Sequence, residues 1–348
     1  MNQDISLKIK KPRTDDKQLW DIYSGKFAYK TLLVAHNLKL FTLLAKKALT
    51  LAEVSQLLQI NSRGAETLLM MLVCVRLLQV EDGFYSLTSI AEDYLLKSSP
   101  TYFGGFLDVA IAAEQEFSLQ NLKKALLTKP SSVYAGEKMF QSHALHPTLA
   151  RAFTHAMHGH SMAAAMVWPE LIDLSRNKLL LDIGGGSGAH AISATLKWSN
   201  LQALVIDLAS VCDIAREYIA QYGLQNRIET DARNMFSEPL PLADIHFYSN
   251  IYHDWPPQTG RFLTQKSFES LEPGGRIVIH EMLYNDQKTG PVGVAANNMV
   301  MYYWQEGQQS SGHELSTMLI STGFTDVEVK PTVGYWSIVT GLKPSETN

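Results

Sequence analysis

Apolar positions organise this chain before any motif does. From Leu19 to Leu44 the residues Leu19, Tyr23, Phe27, Leu33, Val34, Leu38 and Phe41 recur at helical spacing, with little surface left polar. So apolar a terminal helix pair must be covered, by the rest of the chain or by a second subunit. The stretch that follows predicts a helix over 51–58, a turn over 59–61, a helix over 62–75 and a hairpin turning at Glu81, Asp82 and Gly83. That is a winged-helix arrangement. Its second helix carries Leu68, Leu69, Met70, Met71, Leu72, Val73 and Val75, with only Arg63, Glu66 and Arg76 charged. A helix that reads DNA shows polar side chains along one face, so this one is read as a packing element.

Residues 101–175 read as helices, interrupted around Lys129-Pro130-Ser131-Ser132 and at His146-Pro147. From Asn177 the period changes. Strands over 178–183, 202–207, 227–230, 243–249 and 275–281 alternate with helices over 188–198, 210–222 and 258–271. Helices over 291–304 and 312–321 follow, then strands near 325–330 and 335–342. This alternation predicts the α/β class, a doubly wound parallel sheet covered on both faces. Only residues 331–334 join the last two strands, so they must pair as an antiparallel hairpin. The expected division is an N-terminal helical and winged-helix domain over 1–100, linking helices over 101–175 and a catalytic domain over 176–348.

Bulk properties narrow the field. A chain of 348 residues favours two domains, and 46% hydrophobic with 18% charged residues is ordinary globular composition. A net charge of −4 argues against a nucleic-acid partner. The longest purely apolar run, 68–75, is too short to cross a bilayer, and residues 1–17 hold no apolar signal core. Cys74 and Cys212 are the two cysteines, and a disulfide between them is not expected. These features point to a soluble cytoplasmic protein with no membrane partner.

The candidate chemistry begins at 179–188, LLLDIGGGSG: an apolar run ending in Asp182, then glycines at 184, 186 and 188. Such a turn lets a ligand lie against bare backbone. The run LQALVID ends in Asp207, which suits capture of the two ribose hydroxyls of an adenosine moiety. Gly184-x-Gly186-x-x-Ala189 also fits a dinucleotide fingerprint. Asp182 favours S-adenosylmethionine (SAM) instead, whose ammonium needs a carboxylate nearby, and the closing hairpin is not the usual dinucleotide arrangement. Two further segments end at the same side of the sheet: NIYHDW, with His253, and GRIVIHE, with Glu281. Imidazole suits a hydroxyl proton near neutral pH, and a carboxylate on its other nitrogen fixes the tautomer.

In order and spacing, LLLDIGGGSG, VIDL, IYHDW, EPGGRIVIHE and the closing GF-x-x-V-x-V-x-P resemble the blocks of the SAM-dependent small-molecule O-methyltransferases. That family includes caffeic acid, isoflavone and acetylserotonin methyltransferases and bacterial polyketide-tailoring members. The resemblance implies a Rossmann-like class I methyltransferase sheet, a winged-helix dimerisation domain, a homodimer and S-adenosylhomocysteine (SAH) as product. It implies His253 as general base, Glu281 holding its imidazole, and Gln309 on the position of a second glutamate. Cofactor contacts would come from Ser161, Asp182, Gly184, Gly186, Gly188, Asp207, Leu208, Asn234, Met235, Phe236, Ser249 and Trp255. Substrate contacts would come from Phe153, Met157 and His160 in FTHAMHGHS, and from Asn298, Met301 and Trp304.

Two departures stand out. Asn234 replaces an acid that meets the adenine amino group, and its amide oxygen is expected to accept the same bond. Gln309 can position the histidine but cannot favour its charged form, which leaves that to Glu281. An amide at 281 is likewise expected to keep orienting the ring. His143, His146, His155, His158 and His160 are read as solvated or pocket-lining; the last three sit poorly around one helix for a metal, and none is expected. The implied activity is methyl transfer to a phenolic or enolic hydroxyl of a small molecule, in secondary metabolism. Alternatives are another reaction on the same scaffold (hydroxylation, decarboxylation or pericyclisation) and a SAM-sensing winged-helix regulator.

Overall fold

A computed structural model describes residues 11–128 and 147–345, in two compact units, Met1–Ser99 and Pro100–Asn348. The interruptions expected at 129–132 and at His146, together with His143, lie outside the described residues.

In the first unit α1 (Lys17–Asn37) and α2 (Leu40–Leu44) are divided at Lys39, which takes a left-handed conformation. Next come β1 (Leu49–Thr50), α3 (Leu51–Leu58), α4 (Ser62–Cys74), β2 (Leu78–Glu81), β3 (Phe84–Leu87) and α5 (Ser89–Leu95), with the strands ordered β1-β3-β2. Thr50 and Glu53 cap α3 reciprocally, and Asn61 Oδ1 caps α4 through Gly64 N at 2.8 Å, each cap contributing about 1 kcal/mol. These caps fix the corner between the two helices. α4 buries Ala65, Leu68, Leu69 and Leu72, yet keeps Arg63, Glu66, Thr67 and Met70 outward. The outward face is therefore larger than the sequence suggests, but it mixes a carboxylate and a thioether with its single arginine. Leu19 and Ile22 of α1 are 70% and 69% exposed, and Trp20, Tyr23 and Phe27 join them in one apolar stripe.

In the second unit α6 (Gly104–Ala112), α7 (Leu119–Thr128) and α8 (Pro147–Ala165) precede the sheet. The sheet elements are β4 (Leu179–Ile183), α9 (Ala189–Lys197), β5 (Gln202–Asp207), α10 (Ala209–Gln221), β6 (Ile228–Ala232), β7 (Ile245–Ser249), α11 (Pro257–Ser270) and β8 (Arg276–Met282). Then follow α12 (Val292–Trp304), α13 (Gly312–Thr322), β9 (Thr325–Pro331) and β10 (Trp336–Leu342). Seven strands run in the order β6-β5-β4-β7-β8-β10-β9; the first five are parallel and β10 pairs antiparallel with both β8 and β9. This is the class I methyltransferase sheet with its closing hairpin. Leu180, Val205, Phe247, Val278 and Ile338 pack one core and Leu181, Ile183, Ile206, Ile279 and Val339 another. Burial on both sides explains why these strands read as continuous apolar runs.

Candidate active site

Because β5, β4, β7 and β8 are neighbours, the segments at their carboxyl ends form one continuous mouth. Asp207 closes β5, the glycine turn follows β4, residues 250–255 follow β7, and Glu281 stands next to the end of β8.

The turn needs its glycines. Gly184, Gly186 and Gly188 have φ of 66°, 57° and 75°, where a Cβ costs roughly 1–2 kcal/mol each. No atom lies within 4 Å of where a Gly186 Cβ would be, so the bare backbone faces open space. Asp207 Oδ2 accepts from Gly186 N at 2.9 Å and Oδ1 from Leu208 N at 2.7 Å, which leaves further lone pairs for a vicinal diol. Burial pushes the Asp207 carboxyl up despite these two bonds. A glycine cradle with a fixed carboxylate beside it fits an adenosyl cofactor.

Asp182 departs from expectation. It is 1% exposed, its carboxyl lies beneath Gly185, and Oδ2 accepts from Ala191 N at 3.3 Å. Burial pushes this carboxyl up to about 7. It therefore braces the turn from below and does not emerge at the mouth beside an ammonium. Asn234 is a second correction. Its Oδ1 accepts from Phe236 N at 2.9 Å and Ser237 N at 3.3 Å, so the oxygen expected for the adenine closes its own loop, as Asx turns do. Met235 is buried, and Phe236 meets Trp255 edge-on at 4.8 Å. Ser249 Oγ lies 3.3 Å from His280 Nδ1, and Ser161 is buried on α8.

On the other side of the mouth, one carboxylate organises everything. Glu281 Oε1 accepts from Ile251 N at 3.1 Å and Tyr252 N at 3.0 Å, while Oε2 meets His253 Nδ1 at 2.5 Å. With both oxygens accepting, Nδ1 must carry the proton, and neutral His253 keeps its lone pair on Nε2. Asp254, which the sequence reading passed over, places Oδ1 3.4 Å from that Nε2. Its position inside IYHDW was the available signal. Burial works against the imidazolium, but the Glu281 and Asp254 carboxylates outweigh it and push His253 up to about 9.

Gln309 makes no hydrogen bond to His253 among the described residues, so it is not what orients the ring. Its backbone N donates to Asn298 Oδ1 at 2.8 Å, while the buried side-chain Oε1 and Nε2 have no partner among the described residues. Glu281 already holds Nδ1 and orients the ring without Gln309. The Gln309 loop is fixed instead by Asn298, by Tyr284 N on Ser310 O at 3.0 Å and by the Ser311–Glu314 capping box. Gly307 lets it lie on the catalytic loop: a Cβ there would stand 2.1 Å from His253 O.

Aromatic rings gather around His160. Its ring stacks on Phe106 at 5.3 Å and meets Trp336 edge-on at 5.4 Å, while Trp304 packs on Phe117 at 5.0 Å. Burial, then the nearby His253 charge, pull His160 down to about 4. Phe153 and Met157 are partly buried on α8, and Met301 is buried on α12. His155 is partly buried and His158 buried. They straddle Tyr218, His155 Nδ1 lying 2.6 Å from its hydroxyl and His158 stacking on its ring at 3.6 Å. His158 Nδ1 also reaches Ser187 Oγ at 2.8 Å, tying α8 to the glycine turn. Among the described residues no group of three or more His, Cys, Asp or Glu side chains is arranged to hold a metal ion.

Comparison with known proteins identifies the family. Residues 120–325 match the O-methyltransferase domain and residues 20–97 the O-methyltransferase dimerisation domain. The chain is 30% identical to 3-hydroxy-5-methyl-1-naphthoate 3-O-methyltransferase of Streptomyces sahachiroi, over 93% of this chain and 94% of that one. It is 28% identical to a tetracenomycin polyketide synthesis 8-O-methyl transferase of Streptomyces glaucescens, over 91% of this chain and 94% of that one. In fold it is similar to human N-acetylserotonin methyltransferase in complex with SAM, with a TM-score of 0.81 at 24% identity, covering 97% of this chain and 100% of that one. The chain belongs to the SAM-dependent O-methyltransferases.

Proposed function

We propose that His253 is the general base that takes the proton of a phenolic or enolic hydroxyl on a flat aromatic small molecule. The observation that carries this is the Glu281 clamp, which fixes the Nδ1–H tautomer so that the neutral base form carries its lone pair on Nε2. The neighbouring rings of Phe106, His160 and Trp336 support an aromatic acceptor. When bound, SAM supplies an electrophilic methyl group. Asp207 would take its ribose hydroxyls, Met235, Phe236 and Trp255 would flank its adenine, and Gly184, Gly186, Gly188, Leu208, Ser161 and Ser249 would line the remainder. Asp182 would act through the turn it braces. Proton removal and alignment of the hydroxyl oxygen are the chain's own contributions, and alignment supplies most of the acceleration.

Aromatic and polyketide acceptors named among the bacterial relatives support a place in secondary metabolism. The exposed stripe on α1 and the dimerisation domain support a homodimer, in this reading a cytoplasmic one, and the mixed outward face of α4 argues against nucleic acid as a partner. No helix among the described residues is long and apolar enough to cross a membrane. Incubation with SAM and a panel of phenols, enols and polyketide-like hydroxyls, read by mass spectrometry, tests the reading. Gain of one methyl on an aromatic hydroxyl is expected; methylation confined to aliphatic alcohols would contradict it.

A further inference from the structure

The loop after β6 carries Met235 and Phe236, and side chains close it from several directions. Lys266, on α11, donates from Nζ to Met235 O at 2.7 Å, to Phe236 O at 3.2 Å and to Glu238 O. Three carbonyl oxygens converging on one point repel each other, and an ammonium with three N–H donors satisfies them together. Asn234 Oδ1 caps Phe236 N and Ser237 N, and Glu238 Oε1 accepts from Asn234 N at 2.8 Å. Arg233 joins the ends of the segment, Nε bonding Asp231 Oδ2 at 2.8 Å and Nη1 donating to Pro239 O at 2.7 Å. The loop is thus held by residues that need not touch any ligand. α11 itself begins just after Trp255, so Lys266 links the Met235–Phe236 loop to the segment that carries His253.

We propose that Lys266 is a positioning residue that holds the adenine-flanking loop in its binding conformation before SAM arrives. Lys266 then sets cofactor affinity and leaves methyl transfer itself nearly untouched. The proposal rests on the reading that Met235 and Phe236 flank the adenine. Without the ammonium the three carbonyls must splay, and the two side chains lose their fixed poses.

The test is calorimetric titration of purified protein with SAH, alongside steady-state kinetics. Lys266→Met should weaken SAH and raise the KM for SAM by about tenfold. It should change kcat at saturating SAM by less than about threefold, the mark of lost uniform binding. Lys266→Arg, which still brings several donors, should recover most of the affinity. Unchanged SAH affinity in a folded Lys266→Met protein overturns the proposal. Hydrogen exchange on the wild type gives a second readout should that variant fail to fold. Amides of 234, 236 and 237 should be protected without SAH, and protection appearing only on SAH addition overturns a pre-formed loop. Phe236→Ala separates the two layers. Weakened SAH there with unchanged Lys266→Met rejects the proposal alone, whereas unchanged SAH in Phe236→Ala removes the adenine placement and the proposal with it.

Discussion

The two sides of the mouth are built from different materials. At the ends of β4 and β5 the chain offers backbone: three left-handed glycines and a carboxylate, Asp207, that accepts from the main-chain N–H groups of Gly186 and Leu208. At the ends of β7 and β8 one side chain, Glu281, holds three donors, two of them backbone and one the catalytic candidate. The first construction spreads its task over many atoms. The second concentrates it on two oxygens. Side-chain changes should therefore erode cofactor binding gradually on one side and abolish proton transfer abruptly on the other.

Breaking the concentrated side should give the largest effects. His253→Ala is expected to lower kcat by about 10²–10⁴-fold, the usual worth of a general base, with SAH affinity by calorimetry nearly unchanged. Glu281→Gln should come close, contrary to the expectation that an amide merely keeps orienting the ring. A glutamine has one acceptor oxygen, which Ile251 N and Tyr252 N claim, and its NH₂ then faces Nδ1. The ring must accept there and carry its proton on Nε2, so kcat should fall roughly 10²–10³-fold, and histidine ¹⁵N shifts should report the inverted tautomer.

The dispersed side should respond less. Asp207→Asn sets an amide donor against one of two backbone donors, so the KM for SAM should rise about tenfold while kcat largely survives. The smallest effect sharpens the comparison. Asp254 raises the His253 pKa, so Asp254→Asn should move the alkaline-rising limb of kcat/KM to lower pH by up to about one unit. An unmoved limb would place Asp254 outside the electrostatics of the ring.

Much of this was legible locally. The glycine turn announces itself because left-handed backbone restricts residue type, and buried strands such as β5 announce themselves as apolar runs. The strand expected over 227–230 ends instead at Ala232, because β6 is an edge strand whose last residues Asp231 and Ala232 carry no apolar signal. What the sequence hid depends on neighbours distant along the chain. That Glu281 binds two amides as well as His253, that Asn234 spends its oxygen on its own loop, and that Gln309 is buried without a hydrogen bond to the imidazole are all settled by packing. Residue identity alone does not fix the direction of a side chain's hydrogen bond. His155 and His158 teach the same point, since Tyr218, the ring they straddle, lies on α10.

The central claim is that His253, held by Glu281, removes the acceptor's proton through Nε2. It is tested most directly by kcat/KM measured from about pH 6 to about pH 10 in the wild type and in His253→Ala, with one acceptor. Because its folded pKa is raised to about 9, His253 is largely protonated at neutral pH, and the base form grows as pH rises. The wild-type profile should climb with a midpoint near 9, and that limb should vanish in His253→Ala, leaving only the acceptor's own ionisation. Profiles of the same shape and midpoint in both proteins would contradict the account.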